Sequence, residues 1–261
     1  MSDAGVPILM YHAVSPHPHP SFRRYTVTPL DFDSQMRWLV DTGYEAVDMN
    51  ALLAARRDQG VLPAQPIVIT FDDGLQSCAD HAMPVLRDCG FTAVFYLVAG
   101  LVGDTSGWMR GDPGVDLPLM DWDTVRDLEA QGCQLGAHTV THPRLTELDA
   151  ARCREELEGA RERLERELGH PPMHLAYPFG DWNAAVRDMA AEVGYATACS
   201  TTRGMAGPTD DPLALPRITI YGHDSLADFR SRVRTGRALG ERFAGVLGGL
   251  VSRLRPGASQ S

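Results

Sequence analysis

Ile67-Val68-Ile69-Thr70-Phe71-Asp72-Asp73-Gly74 is the stretch on which the fold turns. Five β-branched or aromatic residues run directly into two adjacent carboxylates and a glycine, so a strand is expected to end where the charges begin. In a parallel sheet such a strand end is the edge where α/β proteins build their sites. Two neighbouring aspartates at one strand end face different ways, so one can hold a cation while the other stays free as a base. The same Asp-Asp-Gly also reads as a plain turn, and by itself the stretch does not decide between the two.

Outward from this stretch, short apolar runs alternate with longer helical patterns. Strands are expected at residues 7–11, 44–47, 67–71, 93–97, 134–137, 175–177, 196–199 and 217–220. Gly43, Gly90, Gly132, Gly169 and Gly194 each follow a helical stretch and precede a strand, where a left-handed cap is needed. Thr28-Pro29 and Asp121-Trp122 read as helix starts, with Thr28 and Asp121 capping. This alternation favours a parallel sheet wrapped by helices, and 261 residues suffice for one α/β barrel domain. The charged segment 149–168 carries Leu157, Leu164 and Leu168 at helical spacing and an Arg154–Glu158 pair, which reads as a solvated outer helix. The domain is expected over residues 1–235. Residues 236–261 are expected to form an amphipathic C-terminal helix, with Leu239, Phe243, Val246 and Leu250 in its stripe, and a disordered tail.

A formal charge of −10 argues against nucleic acid or an anionic membrane as the main partner. No run of 18 apolar residues occurs, so no membrane-spanning helix is expected. Residues 1–8 hold Asp3 and no basic residue, unlike a secretory leader, and a cytoplasmic location is the expectation. The five cysteines are odd in number and widely spaced, which reads as buried thiols of a reduced compartment.

A second motif breaks the tie left by the first. Gly136-Ala-His-Thr-Val-Thr-His-Pro143 also follows an expected strand and carries two histidines four apart. That spacing lets both imidazoles meet one ion, and Pro143 favours a loop over a helix at His142. With a carboxylate from the Asp-Asp pair, His138 and His142 make a two-His, one-carboxylate set that leaves room for water and substrate, as a catalytic site requires.

These motifs resemble those of the polysaccharide deacetylases of carbohydrate esterase family 4, which share the NodB homology domain. Residues 70–74, Thr-Phe-Asp-Asp-Gly, look like that family's first motif, and 138–142, His-Thr-Val-Thr-His, like its second. Tyr177-Pro178-Phe179-Gly180 looks like an altered third, and the resemblance runs from about residue 8 to 229. It implies a distorted (β/α) barrel of seven or eight strands. It also implies Asp73, His138 and His142 as metal ligands and Asp72 as the general base. The backbone N–H of Phe179 would help hold an oxyanion, and Tyr177, Pro178, Phe179 and Gly180 would lie at the substrate. The third motif usually opens with an arginine that pairs with the catalytic aspartate, but that position is Ala176. Arg217, in Leu215-Pro-Arg-Ile218, is the candidate replacement and is assigned to the same substrate region; a purely structural ion pair is the alternative. The family's fourth motif is not recognisable after the third.

The general acid has two candidates. Most of the family draws it from a late histidine, for which His223 stands nearest. A circularly rearranged sub-group that deacetylates poly-N-acetylglucosamine draws it from an early strand, which Ile8-Leu-Met-Tyr-His12 resembles, so His12 is preferred. The expected activity is hydrolysis of an N-acetyl group on an amino-sugar glycan, with no nucleic-acid partner. Zinc is the expected metal, with cobalt, nickel or manganese suited to the same donors. Two rivals stand beside it: the same chemistry on a small, lipid-linked or nucleotide-linked N-acyl compound, and an inactive carbohydrate-binding barrel, which Ala176 favours.

Overall fold

The computed structural model describes residues 5–111 and 114–239. Phe243, Val246, Leu250 and the tail expected after them lie outside the described residues. Ten strands form among the described residues, all paired in parallel: β1 (Ile8–Tyr11), β2 (Ala13–Val14), β3 (Thr26–Val27), β4 (Glu45–Ala46), β5 (Pro66–Phe71), β6 (Val94–Leu97), β7 (Gln134–Ala137), β8 (His174–Ala176), β9 (Thr197–Arg203) and β10 (Leu215–Thr219). The sheet order β1-β10-β9-β8-β7-β6-β5 closes because β1 also pairs with β5, which gives a seven-stranded barrel with β4 added beside β5. β2 and β3 pair apart from it.

Strand parity sorts the side chains into two layers. Ile8, Val68, Val94, Tyr96, Cys199 and Leu215 fill the barrel's interior, and Met49 and Leu52 of a helix join them. Leu9, Ile69, Phe71, Phe95, Leu135 and Ile218, one residue out of phase, pack under the helices. Gly136 has no side chain because an added Cβ would lie 2.5 Å from the Tyr96 ring.

Among the described residues eight α-helices surround the strands: α1 (Pro29–Asp41), α2 (Met49–Arg56), α3 (Gln76–His81), α4 (Met83–Cys89), α5 (Trp122–Ala130), α6 (Ala150–Leu168), α7 (Ala184–Val193) and α8 (Leu226–Thr235). Thr28 and Asp121 cap α1 and α5 through their side chains, as their sequence positions suggest. All five glycines expected to end helices have left-handed φ. The helix α6 is less solvated than its composition suggests, because Cys153, Glu156, Leu157, Ala160 and Leu164 are buried against the barrel. All five cysteines are free. No helix of the described residues is long and apolar enough to cross a membrane.

Candidate active site

Register sets the site. Tyr11 of β1 lies opposite Phe71 of β5, so His12 and Asp72, the next residues, emerge side by side at the barrel's C-terminal mouth. Asp72 N–H donates to the Tyr11 carbonyl at 3.0 Å. Parity turns Asp72 inward with Thr70. Asp73 would then face outward, but its φ of 75° and that of Gly74, 70°, swing the chain back over the mouth. Asp is among the residues that accept this region at modest cost.

Two strands away, β7 ends at Ala137 and the chain turns through left-handed Thr139 and His142, with φ of 66° and 64°. Thr139 Oγ1 accepts the His142 N–H at 3.0 Å and fixes that turn. The His138 Nδ1 lies 2.7 Å from the Ala176 carbonyl, which can only accept, so Nδ1 carries the proton and Nε2 keeps its lone pair. That lone pair points at Asp73 Oδ1, 3.5 Å away, and His142 Nε2 is 3.3 Å from the same oxygen.

Asp73, His138 and His142 each present one donor atom, all within 4.8 Å of one another. Donors at about 2.0–2.2 Å around a tetrahedral ion stand about 3.3–3.6 Å apart, which the two Nε2–Oδ1 separations match. An anionic oxygen facing the His138 lone pair is unfavourable without a cation or proton between them, so the donor set fits a divalent metal. Burial pushes the Asp73 carboxyl upward, but its close contacts with the His138 and His142 rings hold it well below the usual range. Burial lowers His142, whereas for His138 the contact with Asp73 and the charge of Asp72 outweigh burial and raise it.

The other aspartate has a different partner. Arg217, 1% exposed, reaches across the barrel and grips both oxygens of Asp72 at 2.7 Å, while its Nε donates to the Ser200 carbonyl at 3.0 Å. Burial raises the Asp72 carboxyl, but the charges of Arg217 and His138 prevail and hold it below its ordinary value. Arg217 therefore supplies the guanidinium that Ala176 lacks, from β10 rather than β8. It stands behind Asp72 and does not line the cavity, which corrects its expected position at the substrate.

A cavity of about 500 Å³ opens over these groups, and His12, Asp72, Asp73, His138 and His142 all line it. His12 packs against Tyr25, with ring centroids 5.0 Å apart. His223 is exposed, stacks on Tyr221 and does not line the cavity. Tyr177, Phe179 and Gly180 contribute to the wall, but Pro178 does not. The Tyr177 ring is buried, with its hydroxyl donating to the Leu213 carbonyl, so only Phe179, 47% exposed, offers a ring from this motif. Its φ is 58°, and the Arg144 guanidinium sits 4.3 Å above its ring.

Sequence reading missed several wall residues. Trp108, in a 3₁₀ turn over Gly107–Met109, stacks on His142 at 4.5 Å. Tyr25, Tyr221, Phe22 and Arg144 also face the cavity. Loop aromatics carry no periodic signal, and only proximity in the fold singles them out.

A family model described as polysaccharide deacetylase matches residues 59–198, more than half of the chain. YxkH of Bacillus subtilis, named for the same family, is 25% identical over 219 residues, covering 83% of this chain and 72% of that protein. The Escherichia coli poly-beta-1,6-N-acetyl-D-glucosamine N-deacetylase is 25% identical over 77% of this chain, which spans only 34% of that enzyme. Among solved structures, the Streptococcus pyogenes deacetylase PplD, in complex with acetate, superposes with a TM-score of 0.76 at 24% identity, covering 86% of this chain and 96% of that one.

Proposed function

Because the chain belongs to the polysaccharide deacetylase family, we propose that it is a metal-dependent hydrolase that removes N-acetyl groups from an amino-sugar glycan. The observation that carries the metal reading is the pair of Nε2–Oδ1 separations, 3.5 and 3.3 Å, that His138 and His142 make with Asp73. Zinc suits two imidazoles and a carboxylate, and cobalt, nickel or manganese would suit the same donors. A metal held there would polarise the acetyl carbonyl and lower the pKa of a water.

The chain's own residues supply the rest. Asp72, held ionised by Arg217, takes a proton from the attacking water. The N–H of Phe179 faces the developing oxyanion. His12 gives a proton to the departing amine; its place beside Asp72 at the cavity supports it over His223, which is exposed outside. The rings of Trp108, Phe179 and Tyr25 give apolar walls against which the faces of a sugar can pack. The reading of a binding-only barrel rested on Ala176, and it loses that support once Arg217 grips Asp72. The substrate in the E. coli relative's name and the early-strand histidine make β-1,6-linked N-acetylglucosamine the first glycan to try.

The test is acetate release from β-1,6- and β-1,4-linked N-acetylglucosamine oligomers, using chelated protein before and after zinc is restored. Release that returns with metal supports the reading. Metal-loaded protein that releases acetate from a small N-acyl sugar but from neither oligomer would replace the glycan with a small substrate.

A further inference from the structure

The loop that carries both histidines is tied down by a residue of a different element. Glu156 lies on α6 at a core-facing position, one helical turn after buried Cys153, and is 9% exposed. Its Oε2 accepts the backbone N–H of Val140 at 2.8 Å and of Thr141 at 2.9 Å. Its Oε1 accepts the Thr141 hydroxyl at 2.6 Å. The donors are the residues between the two histidines, so one carboxylate closes on the middle of residues 138–142.

A carboxylate at a core position is costly unless hydrogen bonds replace its water. An apolar residue would serve the helix packing better, so the charge here answers to the loop. The loop needs it because Thr139 and His142 are both left-handed, a conformation that non-glycine residues adopt only at a cost. Two successive N–H groups turned to the same side make a small anion cradle, and charge-assisted bonds of this kind are the stronger ones. Without the anion the loop would relax, and His142 would lose its register on His138. Its ring depends on that backbone: His142 Nδ1 is buried with no hydrogen-bond partner in the described structure, so no hydrogen bond at that nitrogen fixes the ring, which rests on Trp108, Phe179, His138 and the chain itself.

We propose that Glu156 is a positioning residue that holds the loop 138–142 in the conformation in which His138 and His142 share one cation. The inference rests on the metal reading above and deepens it. The full chain, stripped of metal, is titrated with cobalt(II) as the only probe. Affinity and the visible absorption band are recorded for the wild type, Glu156→Ala, Glu156→Gln and the exposed-helix control Glu155→Ala. Circular dichroism is recorded alongside. Losing a residue that orients metal ligands typically costs about 10–100-fold in affinity, and that is the loss expected for Glu156→Ala. Glu156→Gln keeps the shape but not the charge and should fall between alanine and wild type, by about 3–10-fold. Glu155→Ala should match wild type.

Folded Glu156→Ala that binds cobalt with wild-type affinity and an unchanged band overturns the proposal and leaves the metal reading standing. Should the alanine variant fail to fold, the glutamine variant decides, and wild-type affinity there is equally fatal. A wild type that binds no cobalt overturns the metal reading and this proposal together.

Discussion

A carboxylate that takes a proton from water must be ionised when the water arrives, and burial alone would keep Asp72 neutral. The bidentate grip of Arg217 reverses that tendency. The sign follows directly: the partner holds the acid's pKa down, so weakening it moves the acidic limb of kcat/KM to higher pH. Arg217→Lys keeps a charge but not the fork, so its activity should fall far more at pH 5 than at pH 8, and a pH–rate profile with an unmoved acidic limb would sink the assignment. Arg217→Met leaves Asp72 buried and unpaired, and should cost about 3–5 kcal/mol of stability by denaturant titration. At the leaving group, His12→Ala should lower the rate by about 10²–10⁴-fold, the usual worth of general acid catalysis. His223→Ala should leave the rate near wild type, and the reverse ranking in steady-state kinetics would exchange their roles. The ligand motifs were readable because their residues are neighbours in sequence. The Asp72 partner, Arg217, was readable only as a candidate through the resemblance, since no spacing rule tells which strand will close against β1.

At the scale of elements, all eight strands expected from sequence form, most on short apolar runs that burial requires, although β7 (Gln-Leu-Gly-Ala) has no β-branched or aromatic residue. Their ends are less legible. β9 continues to Arg203, but Thr201, Thr202 and Arg203 are exposed and polar, so no apolar pattern marks the extension. β2 and β3, two residues each, are too short to carry a pattern. Composition also concealed Glu156, one acid among many on α6, whose burial follows only from the helix's phase. β8 offers a prediction of its own. His174 is buried between Asn50 Oδ1 at 2.9 Å and Thr197 Oγ1 at 2.8 Å, which ties β8 to α2 and β9. Burial lowers its pKa from 6.5 to about 4. The folded state thus prefers the neutral ring, and its contribution is full above pH 6.5 and is lost as pH falls towards 4. At pH 4.5 the loss should reach about 2–3 kcal/mol. Denaturant midpoints at pH 7 and 4.5 should therefore diverge less in His174→Gln than in wild type. Parallel pH dependence in the two proteins would mean that His174 is charged in the fold or accessible to water.

The molecule as a whole closes on β1, which pairs with β5 on one side and β10 on the other, so early and late parts of the chain meet at one seam. That seam brings together His12, Asp72 and Arg217, from three distant stretches of sequence. The proposed ligands straddle another part of the ring: Asp73 follows β5, His138 and His142 follow β7, and β6 stands between. A cation shared among them would cross-link loops more than 60 residues apart in the chain, a link the unfolded chain cannot keep. Metal that binds the folded form alone stabilises it by about 4 kcal/mol at a thousandfold excess over Kd. In a domain of this size that corresponds to a melting shift of about 10 °C. Chelation should therefore lower the Tm by about that amount, and zinc should restore it. Asp73→Ala should melt at the same temperature with chelator or with zinc, since its donor set is broken. If zinc raises the Tm of Asp73→Ala as much as that of the wild type, the ion that stabilises the barrel binds elsewhere, and the two histidines must be assigned another task.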